Sequence, residues 1–168
     1  GGRYAGAADL DKDGDDDIIV ASHDDNRILW YENVPGPGNP PRTFAGHTVT
    51  TAARGVRSAL AADLDGDGDL DIYAATDEDN TIAWYENRLA AGQPWTRRVI
   101  YDEAKYARHA FAADVDGDGD IDLMSASQHD GRVIWYENNG KPVPSFTVRA
   151  VGVQNGTQHI HADDLDGD

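Results

Sequence analysis

Short apolar runs separated by polar turns, with no sustained helical stripe, set the rhythm of this 168-residue chain. Small apolar residues form a first run three times: Ala5-Gly-Ala-Ala8, Ala59-Leu-Ala-Ala62 and Ala110-Phe-Ala-Ala113. A second run follows after nine intervening residues, as Ile18-Ile-Val-Ala21, Ile72-Tyr-Ala-Ala75 and Leu123-Met-Ser-Ala126. Next comes a turn ending in Asp25-Asn26, Asp79-Asn80 or Asp130-Gly131, pairs that tolerate the positive φ hairpins need. The third run is Ile28-Leu-Trp-Tyr31, Ile82-Ala-Trp-Tyr85 or Val133-Ile-Trp-Tyr136. A Pro- and Gly-rich loop (Pro35 to Pro41 in the first case) leads to a fourth, such as Trp95 to Tyr101. The pattern predicts four β-strands per unit.

The units are regular enough to measure. Between the first and second runs lies an acidic segment, and its first Asp stands 21 residues before a Trp in every unit: 9 to 30, 63 to 84, 114 to 135. The length varies only afterwards, with 14, 11 and 11 residues to the next aromatic, at Phe44, Trp95 and Phe146. A rigid segment followed by one tolerant loop is the behaviour of a repeated supersecondary unit. Units are therefore expected at 1–54, 55–105 and 106–155, with a fourth starting at 156–168. The second and third runs are apolar on both faces, as a sheet sandwiched between neighbours requires. Small residues in the first run suit the crowded centre of a wheel of sheets. The fold expected is all-β: a β-propeller of four-stranded antiparallel blades, about three in this chain. Three blades do not close a ring, so either further blades or associating chains must complete it.

The acidic segments change the picture from fold to chemistry. They read Asp9-Leu-Asp-Lys-Asp-Gly-Asp-Asp-Asp17, Asp63-Leu-Asp-Gly-Asp-Gly-Asp-Leu-Asp71, Asp114-Val-Asp-Gly-Asp-Gly-Asp-Ile-Asp122 and a truncated Asp164-Leu-Asp-Gly-Asp168. They hold most of the 31 acidic residues behind the formal charge of −17. Carboxylates so dense repel one another unless a cation sits among them. Hard ions such as Ca²⁺ take six to eight oxygens, which a turning loop supplies from alternate side chains and a carbonyl. Positions one, three, five and nine are assigned as side-chain ligands: Asp9, Asp11, Asp13 and Asp17; Asp63, Asp65, Asp67 and Asp71; Asp114, Asp116, Asp118 and Asp122. Position seven (Asp15, Asp69, Asp120) is assigned a backbone oxygen, its side chain turned to solvent. Gly68 at position six permits the sharp turn. Asp164, Asp166 and Asp168 form an incomplete fourth set lacking position nine.

An EF-hand opens in the same way but needs a glutamate at position twelve and flanking helices. Position twelve here is Val20, Ala74 or Ser125, within a predicted strand. The first loop departs from its siblings, with Lys12 for glycine and Asp16 where Leu70 and Ile121 are apolar.

The string Ala-Ala-Asp-Leu-Asp-Gly-Asp-Gly-Asp-Leu-Asp-Ile from Ala61, followed by Asp79-Asn80 and Ile82-Ala-Trp-Tyr-Glu-Asn87, resembles the FG-GAP/VCBS repeat family. The likeness covers essentially the whole chain. It implies calcium-binding propeller blades like those of the integrin α-subunit head, usually seven to a ring. It also implies an extracellular or cell-surface setting, in adhesion, carbohydrate or enzyme-linked contexts, without fixing a ligand.

Composition narrows the remaining classes. No basic stripe exists to meet phosphates, so nucleic acid is not expected as a partner. Without cysteine there is no disulfide frame and no thiol metal site. No apolar run reaches the roughly 18–20 residues of a membrane span. The chain opens with Gly1-Gly2-Arg3 and stops inside a repeat, so it reads as a piece of something longer.

Trp30, Trp84 and Trp135 recur as core packing between blades rather than as sugar platforms. Arg3, Arg57 and Arg108, each six residues before its loop, are expected to pair with a recurring acid rather than grip an anion. Glu32, Glu86 and Glu137 recur too. Of six histidines only His109 and His159 share an equivalent position. Carboxylates abundant enough for glycosidase chemistry belong to the metal loops, and the serines show no nucleophile elbow. The expected function is a calcium-stabilised, non-catalytic binding or scaffold module with a protein or carbohydrate ligand. The alternative is a lectin-like or accessory propeller of a carbohydrate-active enzyme, with contacts in Asn33–Arg42, Asn87–Gln93 and Asn138–Ser145.

Overall fold

A computed structural model describes residues 1–36, 42–140 and 143–163. It holds three four-stranded antiparallel sheets, each built from four strands consecutive in sequence. The first contains β1 (Gly2–Ala8), β2 (Asp17–Ser22), β3 (Arg27–Pro35) and β4 (Arg42–Thr50). The second contains β5 (Val56–Ala62), β6 (Asp71–Thr76), β7 (Thr81–Glu86) and β8 (Thr96–Tyr101). β9 (Ala107–Ala113), β10 (Asp122–Ser127), β11 (Arg132–Asn138) and β12 (Phe146–Val153) form the third. The chain is all-β with propeller-like blades, as the apolar rhythm predicts; a single 3-10 turn at Leu89–Ala91 is the one helical element among the described residues. No helix there is long and apolar enough to cross a membrane.

The hairpins sit where the turn chemistry puts them. Asn26 and Asn80 both take φ of 56°, and Gly131 takes 67°. All three pair the second and third strands through these turns in matching register, with Ile19↔Trp30, Tyr73↔Trp84 and Met124↔Trp135 facing each other. The blades lean on one another through their first strands, β1 beside β5 and β5 beside β9.

Adjacent Trp and Tyr in the third strands point to opposite faces, because side chains alternate along a strand. Trp30 joins Tyr85 in the core between the first and second blades. Trp84 joins Tyr136 in the core between the second and third. Each Trp therefore looks forward to the next blade and each Tyr backward to the previous one. Trp84 and Tyr85 are buried together in the middle blade. The ends of the series behave as this rule demands: Tyr31, with no blade behind it, and Trp135, with none ahead, are only half-buried. Position two of the acidic loops follows suit. Leu10 and Leu64 are buried in the two cores, whereas Val115 is 42% exposed.

The third and fourth strands share a further device. Each Trp has a basic residue directly across the ladder on the fourth strand: His47, Arg98 and Arg149. His47 stacks on Trp30 at 4.5 Å, and the Arg98 and Arg149 guanidinium groups lie 5.7 and 5.4 Å from their indoles. The same three side chains bond Glu32, Glu86 and Glu137, at 2.8, 2.6 and 2.6 Å. This accounts for the recurring glutamates. They hold an imidazole or a guanidinium over the tryptophan.

Candidate metal centres

The three complete acidic segments join first strand to second at one end of each blade, and each coils around its own carboxylates. The position-one carboxylate accepts the position-six N–H: Gly14 to Asp9 at 3.1 Å, Gly68 to Asp63 at 3.0 Å, Gly119 to Asp114 at 3.1 Å. Position three accepts from the position-five N–H at 3.2–3.3 Å, and position five accepts from position seven at 2.8–2.9 Å. These short-range bonds tighten the loop without using every carboxylate oxygen.

Position nine has a second task. It opens the second strand and is buried in all three loops, as Asp17, Asp71 and Asp122. One of its oxygens accepts the N–H of loop position two, from Leu10, Leu64 or Val115, at 3.0–3.1 Å. The other accepts the N–H of Asn33, Asn87 or Asn138 at 2.7–2.8 Å. This carboxylate staples its loop to the end of the third strand. Burial pushes the Asp71 carboxyl up to about 7 despite those two N–H donors, and burial likewise raises Asp17. Desolvation also raises Asp11, Asp65 and Asp116. A cation among these groups would favour their charged forms.

Ligand-capable oxygens converge to within 4.8 Å of one another in each loop. The triplets are Asp9, Asp11 and Asp13; Asp63, Asp65 and Asp71; and Asp114, Asp116 and Asp122. Asp67 and Asp118 at position five, and Asp17 at position nine, fall outside these triplets, so each loop gathers three of its four expected side-chain ligands. Asp164, Asp166 and Asp168 lie outside the described residues. The donor set fits a hard divalent ion on a specific observation: Asp9 Oδ1 and Asp63 Oδ1 are buried inside their loops with no hydrogen-bond partner. An anionic oxygen shut away from water and from donors is costly unless a cation meets it. In the third loop the corresponding Asp114 Oδ1 accepts the Gly117 N–H at 2.8 Å.

Position seven differs from expectation. Its side chain was assigned to solvent, yet Asp15 pairs with Arg42 and Asp69 with Lys12. Each carboxylate keeps less than a third of its side chain exposed. The cause is crowding of negative charge: a cation from outside the loop is drawn to the rim. Lys12, the residue that departs from glycine, therefore reaches from the first loop to the second. The arginine expectation also needs correcting. Arg57 does pair with an acid, Asp77, but Arg108 Nε donates instead to Gln128 Oε1 at 2.6 Å. No acid recurs, because that hairpin position is His23, Asp77 and Gln128 in turn.

Sequence reasoning missed the asparagine that closes each Trp-Tyr-Glu-Asn string. Asn87 Nδ2 donates to Leu10 O of the preceding blade at 2.8 Å and to Leu70 O of its own at 3.0 Å. Asn138 repeats this with Leu64 O at 2.9 Å and Ile121 O at 3.1 Å. One side chain thus clasps two acidic loops together. The repetition of Asn33, Asn87 and Asn138 was the available signal.

Stacked four-stranded blades, each with an acidic loop between its first two strands, define a β-repeat protein of the propeller type. A profile of FG-GAP-like repeats matches residues 9–74, 63–125 and 114–168, and the chain belongs to that family. No curated protein and no solved structure matches it.

Proposed function

We propose that this chain is a calcium-stabilised, non-catalytic binding or scaffold module of an extracellular or cell-surface protein. The observation that carries the reading is the unpartnered buried oxygen of Asp9 and Asp63 within convergent carboxylate triplets. Family membership supports both the metal and the extracellular setting. The half-buried Trp135, whose Nε1 is buried without a partner, and the exposed Val115 suit a further blade on the third sheet, from a longer chain or a second copy.

Calcium acts here on the fold. A ligand at 100 times its Kd stabilises a protein by about 2.7 kcal/mol, and three such sites would supply on the order of 8 kcal/mol. That rivals the whole stability of an ordinary domain. Thermal melts in millimolar CaCl₂ and in excess EGTA test this. The expected loss of Tm on chelation is roughly 15 °C or more. Superimposable melts would overturn the proposal.

A further inference from the structure

The opposite end of the blades, made of hairpin turns and blade-to-blade connections, holds a residue that breaks the repeat. Eight positions before each acidic loop the sequence has Gly1, Gly55 and Gly156 in three units but Tyr106 in the third. Gly55 adopts φ of 63°, Gly156 78° and Tyr106 58°. A bulky residue in the left-handed region is a rarity that the surroundings must enforce. The enforcing bond is shared: the Gly55 N–H donates to Asn26 Oδ1 at 2.9 Å, and the Tyr106 N–H to Asn80 Oδ1 at 3.0 Å.

What surrounds the two positions differs. A Cβ on Gly55 would lie 2.3 Å from Asp77 Oδ1 and 2.6 Å from Glu78 Cγ, so the first junction is filled by its own hairpin. In the third unit Gln128 and His129 replace that acidic pair. Gln128 is drawn to Arg108, and Tyr106 is 46% exposed. The Arg108 guanidinium lies 5.6 Å from one side of the ring, and the His129 ring is 6.3 Å away.

The ring borders a cavity of about 650 Å³ between the second and third blades. Arg54, Asp77, Glu78 and Asn80 line one side, and Lys105, Tyr106 and His129 the other. Tyr106 and His129 also border a second hollow of about 300 Å³ shared with Gln128. These volumes suit one or two small rings. The walls carry acceptors and donors of both signs around an aromatic surface, which disfavours a polyanion. Such a mixture suits a ligand with many hydroxyl groups and one apolar C–H face.

The geometry points to a saccharide-binding subsite at the junction of the second and third blades, with Tyr106 as its stacking platform. It rests on the reading of the chain as a binding module, and it names the ligand class. Retention of an unfavourable backbone conformation at an exposed position is the cost such a site would explain.

The test uses the calcium-loaded chain on an array of neutral hexose, N-acetylhexosamine and uronate glycans, followed by titration of any hit. Binding to at least one neutral glycan is expected. Tyr106→Gly should weaken it about tenfold or more, with Tm unchanged or raised because the sibling residue is restored. Tyr106→Phe should keep most of the affinity. No glycan bound by the parent chain, or equal binding by Tyr106→Gly, would overturn the inference. Chelation melts test the calcium reading without touching this cavity, so the two failures are distinguishable. His129→Ala supplies a second variant that leaves the strained residue in place and should also weaken binding.

Discussion

The two ends of the blades obey different rules. At the acidic end every unit repeats the same bonds: position six to one, five to three, seven to five, and the double acceptor at position nine. At the turn end the corresponding residues change from unit to unit, as His23-Asp24, Asp77-Glu78 and Gln128-His129. Repeat architectures copy what holds neighbouring units together, since each unit contacts only its neighbours. At the turn end the shared blade-to-blade bonds run to backbone N–H groups, from Gly55 to Asn26 and from Tyr106 to Asn80, so the side chains around them can vary. The repeated geometry of one end and the varied chemistry of the other separate what every blade shares from what is particular to each junction.

The largest break in that comparison should come from Asp71. Asp71→Ala removes one acceptor from two buried N–H groups, those of Leu64 and Asn87. Each unsatisfied buried donor costs about 1–3 kcal/mol, so a loss of roughly 3–5 kcal/mol is expected. Thermal melts should show it with EGTA as well as with calcium, because the staple is independent of the ion. Asp65→Asn, by contrast, should reduce the calcium-dependent part of the melt alone. Equal behaviour of the two variants would contradict separate roles for positions nine and three.

A smaller effect should separate the clasping asparagines from the one that has nothing to clasp. Asn87→Ala and Asn138→Ala each lose a buried bond to the preceding blade, a part-buried bond within their own, and the acceptor of the Leu89 or Gly140 N–H. About 2 kcal/mol each is expected, or roughly 5 °C in Tm. Asn33 reaches only Asp16 O, in an exposed bond, and its replacement should cost less than half as much. If all three variants melted together, the cross-blade bonds would contribute nothing.

Much of this organisation was legible in the sequence, and the boundary is instructive. Strand number, hairpin turns and blade sandwiching followed from Trp30, Trp84 and Trp135 at a fixed distance from each loop, because those signals are local. The Asn87–Leu10 and Asn138–Leu64 bonds span 77 and 74 residues, and no periodicity within a unit reveals such a contact. The solvent assignment for Asp15 and Asp69 failed for the same reason, since Arg42 and Lys12 arrive from other segments. Tyr106 is a different case. Its departure from Gly1, Gly55 and Gly156 was written in the sequence, but only the φ of 58° gives the departure meaning.

The turn-end half of the third blade should also set the response to acid. His109, near the start of β9, is buried at 7% exposure, and its Nδ1 has no partner. The His159 ring lies 4.4 Å away and the Tyr4 ring 6.1 Å. Burial, with the His159 charge as a second cause, lowers its pKa from the usual 6.5 to about 4. The folded state therefore binds this proton less readily than the unfolded state does. Its contribution is complete above pH 6.5 and is lost progressively as pH falls toward 4. Between pH 7.5 and 5.5, in saturating calcium, Tm should fall by roughly 3 °C from this group. His109→Ser, which installs the residue found at Ser58, should remove that part of the decline. Parallel pH profiles for the parent and the variant would show that His109 carries no proton linkage, and that acid acts elsewhere in the blades.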